Sequence, residues 1–353
     1  MHPEQIKKAA VDLLHQINQS PHPANEVIAV YTRSRRYIGS KDRKALTDMV
    51  WKVLRYQAHL SWRTKEIDAQ IALLETAHQD MPGMPDWVKW ECPQWLITHI
   101  PQADKELPAL ITPAPIVLRA NGDRNAIRNR LAAEGIETTL TDKSPYGLIM
   151  AKRCHLNVSE TFKQGLIEVQ DEGSQLIALE TEIQPEEHVL DMCAGAGGKS
   201  LILSQMMRNT GRIVAHDISF LSLKELGRRA NRAQATNIEI ATKLPDEKFD
   251  TVVVDAPCSG TGTWRRCPDA KWKLTPEQFQ NIQKTQAMLL NQAAERTKNK
   301  LCYMTCSLTQ DENEIQTAAF LQRHPDFHLI KEKRFSPYRT QTDGFYVAVL
   351  QKT

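Results

Sequence analysis

The sequence predicts an α/β protein whose largest domain is a doubly wound, mostly parallel sheet of seven strands, preceded by an all-helical domain and a small α+β subdomain. From about residue 166 onward, strand-length apolar runs alternate with helical segments, which is typical of a parallel sheet covered on both faces. A glycine-rich turn follows the first of these runs, at the sheet edge where such folds bind ligands. The earlier part of the chain shows helical periodicity instead.

Residues 1–75 are predicted to form the helical domain. Apolar side chains recur there at spacings of three and four residues, the pattern of amphipathic helices. They are Ile6, Ala9, Leu13, Leu14 and Ile17 in the first stretch and Leu46, Met49, Val50, Val53 and Leu54 in the second. Gly39 and Ser40 lie between the two stretches, and Ser40 is expected to cap the second helix.

Residues 76–109 are predicted to be a linker with a tryptophan-rich helix, because closely spaced prolines mark the boundaries of structural elements. The α+β subdomain is placed at 110–165. Its predicted elements are extended runs over 116–120, 136–141 and 147–151 and a helix over 124–133 closed by Gly135.

Residues 166–353 hold the seven predicted strands of the large domain. They span 188–192, 212–216, 238–241, 251–255, 300–305, 327–330 and 345–350. The helix after the fourth strand has a clear start signal, since Thr275 is a good N-cap, Pro276 suits the first helical position and Gln278 completes a capping box.

Composition restricts the location and the chemistry. No apolar run approaches the roughly 20 residues that cross a bilayer, and the first ten residues lack the pattern of a secretory leader. A cytoplasmic protein is therefore expected, and we also expect it to be a monomer. The seven cysteines are an odd number without paired CxxC spacing, so free thiols are expected rather than a disulfide framework or a metal site.

The charge is unevenly distributed along the chain. The net charge is only +3, but ten basic residues stand against two acids between Tyr31 and Lys65. Such an excess favours a polyanionic partner, because Lys and Arg displace counterions from phosphates. A solvated helix surface is the alternative interpretation.

The glycine-rich turn, Cys193-Ala194-Gly195-Ala196-Gly197-Gly198-Lys199, lies between a strand and a helix. Its glycines allow close approach of a ligand, and the helix start offers free N–H groups. A P-loop would need glycine where Cys193 stands, and a dinucleotide fingerprint would need glycine at Ser200. S-adenosylmethionine fits better. Asp217, 20 residues beyond Gly197 at the end of the next strand, is placed to hold ribose hydroxyls.

Two cysteines each follow a predicted strand. Cys258 comes after the fourth strand and Cys306 after the fifth, so the two thiols converge beside the glycine-rich turn if these strands are neighbours. Buried structural cysteines are the ordinary alternative. A thiol pair beside a methyl donor suits carbon 5 of cytosine, which becomes nucleophilic only after a thiolate adds to carbon 6. Asp255 could hydrogen-bond the base at N3 or N4 and stabilise that addition.

Four segments carry a family resemblance, namely DMCAGAGGKS, DAPCSGTGTWRRCPDAKW, TCSLTQDENE and DGFYVAVL. Together they resemble the Sun/Fmu and nucleolar family of RNA cytosine-5 methyltransferases, whose catalytic domain is Rossmann-like. EVQDEGSQL is similar to the family's entry motif. SKDRKALTDMVWKVLR resembles the NusB-like RNA-binding domain of the bacterial 16S rRNA enzymes.

The resemblance implies roles for single residues. Cys306 would be the nucleophile and Cys258 would aid product release, while Asp255 and Lys199 would contact the target base or the methionine carboxylate. The loop from Cys193 to Lys199 with Asp217 would hold S-adenosylmethionine, and the substrate would be RNA, most simply rRNA. The chain departs from the family where an acid near adenine is usual after the third strand, since Thr242 and Lys243 stand there and Asp246 comes later.

Two rival functions use the same fold. A DNA cytosine-5 methyltransferase would attack with Cys258, but the second cysteine motif and the basic N-terminal helices argue against it. A non-catalytic RNA-binding factor for ribosome assembly would keep the fold without the activity. The reacting groups are all present, which favours the enzyme.

Overall fold

The N-terminal helices follow the predicted apolar periodicity in this computed structural model, which describes residues 2–353. The first helix buries Leu13 and Leu14, and the third buries Val50 and Val53. The helices are α1 (Pro3–Gln19), α2 (Ala24–Ser34), α3 (Ser40–Arg55), α4 (Gln57–Arg63), α5 (Ile67–Ala72), α6 (Asp86–Lys89) and α7 (Ala103–Ile111).

The predicted cap at Ser40 is wrong. Gly39 is the N-cap of α3, in extended conformation, and its carbonyl accepts the Arg43 N–H at 2.8 Å. Ser40 is already the first helical residue, and no side chain caps this helix. Because both residues favour helix starts, the sequence alone did not choose between them.

The small sheet has four antiparallel strands in the order β2-β3-β1-β4. The strands are β1 (Val117–Ala120), β2 (Thr138–Leu140), β3 (Gly147–Met150) and β4 (Ile167–Val169), with helices α8 (Arg124–Ala133) and α9 (Glu160–Lys163). The strand β4 lies beyond residue 165, because its residues pair with β1 rather than with the large sheet.

The large sheet has seven strands in the order β10-β11-β9-β8-β5-β6-β7. They are β5 (His188–Asp191), β6 (Arg212–His216), β7 (Ile238–Ala241), β8 (Phe249–Asp255), β9 (Thr297–Thr305), β10 (Phe327–Phe335) and β11 (Phe345–Lys352). All neighbouring pairs are parallel except those that involve β11. The prediction of a doubly wound, mostly parallel sheet is confirmed.

Helices cover both faces of this sheet. The helices of this part of the chain are α10 (Glu172–Leu179), α11 (Gly198–Met206), α12 (Phe220–Arg232), α14 (Pro276–Arg296), α15 (Glu314–Arg323) and α16 (Pro337–Thr340). The short helix α13 (Ala270–Lys273) belongs to the unit of the N-terminal helices. Alternate residues of β8 enter different cores. Val252 and Val254 pack in one core, and Val253 packs in the core on the other face. This two-sided burial fixes the ends of β5, β8 and β9 side by side.

The predicted capping box begins α14. The Gln278 N–H donates to Thr275 Oγ1 at 3.2 Å, and the Thr275 N–H donates to Gln278 Oε1 at 3.0 Å. Both bonds satisfy N–H groups that a helix start leaves without intrahelical partners.

By their internal contacts, the described residues form two units. The first runs to Pro113 and also includes Gly260–Phe279, and the second comprises Ala114–Ser259 and Gln280–Thr353. Within the first unit, Asp269 accepts the Ala24 N–H at 2.9 Å. The segment that directly follows the Cys258 loop thus packs with the N-terminal helices. Among the helices of residues 2–353, none combines the length and the apolar character that a membrane span requires.

Candidate active site

The two predicted cysteines meet at the carboxyl edge of the large sheet. Cys258 follows β8 and Cys306 follows β9, and these strands pair in parallel with Asp255 opposite Met304. The two Sγ atoms lie 3.2 Å apart, and the Cys306 N–H donates to Cys258 Sγ at 3.3 Å. Both cysteines are reduced thiols and are partly exposed. The predicted convergence of the two thiols is confirmed.

Lys199 and Asp255 form an ion pair at the same edge. Lys199 lies in the first turn of α11, and its Nζ is 2.5 Å from Asp255 Oδ2. Burial opposes the charge of the ammonium, but Asp255, with Cys306 and Asp191, raises the Lys199 pKa above its ordinary value. Lys199 is therefore a permanent cation.

The glycine-rich turn crosses from β5 into α11 with two residues in the left-handed region. Gly197 is the N-cap of α11 at φ +84°, and a Cβ there would lie 2.6 Å from Leu226 Cγ. Gly195, at φ +54°, borders open space. Only glycine adopts these conformations easily, and the helix start leaves its first N–H groups for a ligand. The turn can therefore cradle a bound molecule.

Asp217 fixes this turn from the end of β6. Its Oδ2 accepts the Gly195 N–H at 2.9 Å, and its Oδ1 accepts the Ser219 N–H at 2.7 Å. The carboxylate is partly exposed, so further lone pairs remain for ligand hydroxyls. The structure thus places Asp217 beside the turn, as predicted, but also gives it a part in shaping the turn.

Asp191, the last residue of β5, lies fully buried behind the turn. Burial raises the pKa of its carboxyl to about 7, with Asp255 and Asp217 adding to the effect against a hydrogen bond from Ser200. Its Oδ2 accepts the Ser200 hydroxyl at 2.7 Å, and Oδ1 has no partner among the atoms of residues 2–353. A cationic ligand group fits an orphaned buried acceptor of this kind.

Cys193 lies in the turn but is no nucleophile. Burial, reinforced by Asp191, Asp255 and Asp217, raises the pKa of its thiol far above the ordinary range. The thiol therefore stays protonated and acts as a small apolar side chain against the core.

Two residues that hold the turn were missed from the sequence. Arg229 on α12 donates to the Ala196 carbonyl at 2.7 Å, and Gln170 donates to the Gly198 carbonyl at 3.0 Å. Gln170 lies in the motif EVQDEGSQL, whose resemblance assigns no role to single residues. Arg229 lies in an ordinary amphipathic helix, where no pattern distinguishes it from a surface arginine.

Asp246, the acid that follows Thr242 and Lys243, lies at the surface. The side chain of Asp246 is fully exposed and pairs with Arg296 at 3.2 Å. At the end of β7, the Ala241 carbonyl instead faces His216 Nδ1 at 3.0 Å.

The donor set therefore suits a zwitterionic nucleoside cofactor. N–H groups at the start of α11 match an anionic group, and the Asp217 carboxylate matches ribose hydroxyls. A group of three or more His, Cys, Asp or Glu side chains that could hold a metal is not found within residues 2–353.

The fold and this site define a class of protein, the Rossmann-like methyltransferases. Residues 177–351 match the family model described as 16S rRNA methyltransferase RsmB/F. Together with the relatives described next, this match shows that the chain belongs to the RsmB/F family of 16S rRNA methyltransferases. S-adenosylmethionine is accordingly the cofactor of the chain.

Curated relatives support this assignment. The chain is 31% identical over 296 residues to a probable ribosomal RNA small subunit methyltransferase B of Bacillus subtilis, a match covering 74% of this chain and 66% of that protein. It is 30% identical over 310 residues to ribosomal RNA small subunit methyltransferase B of Vibrio cholerae, covering 80% and 71%. The chain thus spans about two thirds of the length of these relatives.

A solved structure shows the same fold. A methyltransferase homolog protein from Pyrococcus horikoshii superposes with a TM-score of 0.67 at 24% identity, covering 78% of this chain and 100% of that one.

The Gly197→Ala variant is expected to lose cofactor affinity and about 1–3 kcal/mol of stability, because its Cβ would meet Leu226 and its φ is strained. Calorimetric titration with S-adenosylhomocysteine and thermal unfolding check this. Gly195→Ala is the matched control, since it strains φ but meets open space, and it should lose less. Binding by Gly197→Ala at wild-type strength would contradict the role given to the turn.

Proposed function

We propose that this chain transfers a methyl group from S-adenosylmethionine to carbon 5 of a cytosine in RNA, specifically rRNA, through a covalent Cys306 adduct at carbon 6. The observation that carries the proposal is the pair of reduced thiols, 3.2 Å apart, beside the Lys199–Asp255 ion pair and the cofactor turn. Methylation of oxygen or of exocyclic nitrogen needs no thiol, whereas carbon 5 of cytosine must first be activated. When bound, S-adenosylmethionine supplies an electrophilic methyl group.

Cys306 performs the first step. Its thiolate forms a bond to carbon 6, and the electrons of the 5,6 double bond make carbon 5 nucleophilic. Cys306 is among the groups that raise the Lys199 pKa, so the lysine cation lies within electrostatic reach of the attacking sulfur.

Asp255 orients the base. Its side chain is 30% exposed and is held by Lys199, so it can meet the N3 and N4 edge of a cytosine. A carboxylate that accepts the N4 amino hydrogen there holds the base in the orientation that attack at carbon 6 needs. The ion pair with Lys199 fixes its direction beforehand.

Cys258 assists the last step. After methylation, the proton leaves carbon 5, the 5,6 double bond re-forms and the bond between carbon 6 and Cys306 sulfur breaks. A thiolate in contact with Cys306 can accept that proton or carry it to solvent. The product is released and both thiols return to their initial state.

The proposed reaction is tested by incubating small-subunit rRNA from cells lacking the gene with the protein and S-adenosylmethionine. Nucleoside mass spectrometry should detect 5-methylcytidine, and bisulfite sequencing should locate it at one position. A methyl group on another atom or base, with no 5-methylcytidine, would overturn the proposal.

RNA binding is assigned to part of the basic N-terminal segment. Several of its charges serve the fold, since Arg35 pairs with Asp12 at 3.2 Å and Arg55 donates to the Ile111 carbonyl at 3.0 Å. Arg33, Arg36 and Lys41 are exposed, and in the part of the chain that the structure describes no hydrogen bond or ion pair engages them. These three remain available for phosphates.

Replacing Arg33, Arg36 and Lys41 together by alanine should weaken RNA binding regardless of sequence. The slope of log affinity against log salt should fall by about 0.7–0.9 for each lost phosphate contact. Titrations at two salt concentrations measure it, with exposed Arg208, Lys248 and Lys284 of the other unit as control. An unaltered salt slope would show that this surface is merely solvated.

A further inference from the structure

Glu312 is a carboxylate fully buried beside the two cysteine loops. It lies between β9 and α15, just after the Cys306 loop, and the proposed methyl transfer does not use it. Five donors converge on it, namely the Ser259 N–H at 2.7 Å, the Ser259 hydroxyl at 2.5 Å, the Ser307 hydroxyl at 2.6 Å, the Thr309 hydroxyl at 2.8 Å and the Gln286 amide at 3.1 Å.

These donors come from both cysteine loops. Ser259 directly follows Cys258, and Ser307 directly follows Cys306. One carboxylate therefore joins the residues next to the two thiols. Gln286 on α14 extends the bond network, since its amide also donates to the Pro257 carbonyl at 3.0 Å, on the other side of Cys258.

Asn313 holds the Cys306 loop on both sides of the cysteine. Its Oδ1 accepts the Thr305 hydroxyl at 2.6 Å, and its Nδ2 donates to the Ser307 carbonyl at 2.9 Å. Asn313 is fully buried. With its two neighbours fixed in this way, the backbone of Cys306 has little freedom.

The hydrogen bonds of Glu312 tie a costly buried charge to both cysteine loops. A buried carboxylate carries a large desolvation penalty, which is offset only when its lone pairs are fully used. Here they are used by donors from the two loops that bear the thiols. Hydrogen bonds to a charged acceptor are about twice as strong as neutral ones, so this acceptor makes the loop positions rigid.

We infer that Glu312 and Asn313 are positioning residues that hold Cys258 and Cys306 at the separation which the proposed methyl transfer needs. The expected loss of kcat rests on the proposed function. The expected effect on the separation of the two sulfur atoms rests on the structure alone. Addition by Cys306 and release through Cys258 both depend on this separation, so loosening it slows both steps.

The test compares wild type with Glu312→Gln, which keeps the shape but brings N–H groups towards five donors. Since a misplacement of about 1 Å can slow catalysis roughly 10²-fold, kcat should fall by that order while KM for RNA and the affinity for S-adenosylhomocysteine hold. Glu312→Asp, which keeps the charge, should recover part of the loss. Thermal unfolding shows whether each variant is folded.

The matched control is Glu134→Gln. Glu134 also accepts two hydroxyls and one N–H, from Ser159 and Thr161, but it lies in the small α+β part, away from the thiols. Its variant should keep the wild-type kcat. An equal fall of kcat in both variants, or an unchanged kcat in Glu312→Gln, would overturn the inference.

A second measurement needs no RNA. Dibromobimane links two neighbouring thiols by displacement of its two bromides, forming one C–S bond to each sulfur. Peptide mapping should find Cys258 and Cys306 linked in wild type, with a severalfold lower yield in Glu312→Gln and in Asn313→Ala. An unchanged yield in folded variants would refute the positioning role even if the RNA reaction itself proved different.

Discussion

The Cys306→Ala variant is expected to lose methylation by roughly 10⁴-fold or more, because without the thiolate carbon 5 of cytosine is not activated. Affinity for S-adenosylhomocysteine should remain, since the turn from Cys193 to Lys199 and Asp217 are untouched. Transfer of radiolabelled methyl to RNA and calorimetric titration measure the two quantities separately.

Cys154→Ala is the control for this variant, because Cys154 is an exposed free thiol in the small α+β part. It should methylate RNA at the wild-type rate. Substantial activity in Cys306→Ala would remove Cys306 as the nucleophile, and loss of activity in both variants would indicate damage unrelated to the thiol pair.

The Cys258→Ala variant is expected to accumulate covalently bound RNA. Addition by Cys306 and methylation proceed, but the thiol 3.2 Å away that assists release is missing, so the adduct persists. A denaturing gel should show a slower-migrating protein–RNA band that depends on S-adenosylmethionine and disappears on digestion with ribonuclease. A variant that turns over like wild type without such a band would contradict this role for Cys258.

The meeting of the two thiols could be predicted from the sequence on one condition, that the two strands before them are neighbours. The apolar runs ending at Asp191, Asp255 and Thr305 are long enough to be buried on both faces, and parallel strands bring their carboxyl ends to one edge. The convergence of Cys258 and Cys306 followed from that topology together with the motifs.

The fold of the inserted segment could not be anticipated in the same way. Residues 260–279 follow the Cys258 loop in sequence, yet they pack with the N-terminal helices through Asp269 and through Lys271, which lies 3.7 Å from Glu91. Contacts between residues so far apart in sequence leave no local periodicity. The helix α2 was also not predicted, because Pro23 and Ala24 carry no side-chain capping signal that would mark its start.

The residues that support the site could not be predicted from local sequence patterns either. Four site residues could be recognised by their residue types, namely Cys258, Cys306, Lys199 and Asp255. Glu312 is one acid in a polar stretch, and its importance follows only from the five donors that the fold brings to it. A sequence pattern does not reveal which of several carboxylates is buried.

The covalent link between protein and base tests the account most directly. The adduct that accumulates in Cys258→Ala is digested with protease and ribonuclease, and the modified peptide is sequenced by mass spectrometry. We expect a methylated cytosine nucleotide on Cys306, in the peptide that contains Thr305 and Ser307. A nucleotide on another cysteine, or an adduct that forms in Cys306→Ala but not in Cys258→Ala, would contradict it and make Cys258 the attacking thiol in the latter case.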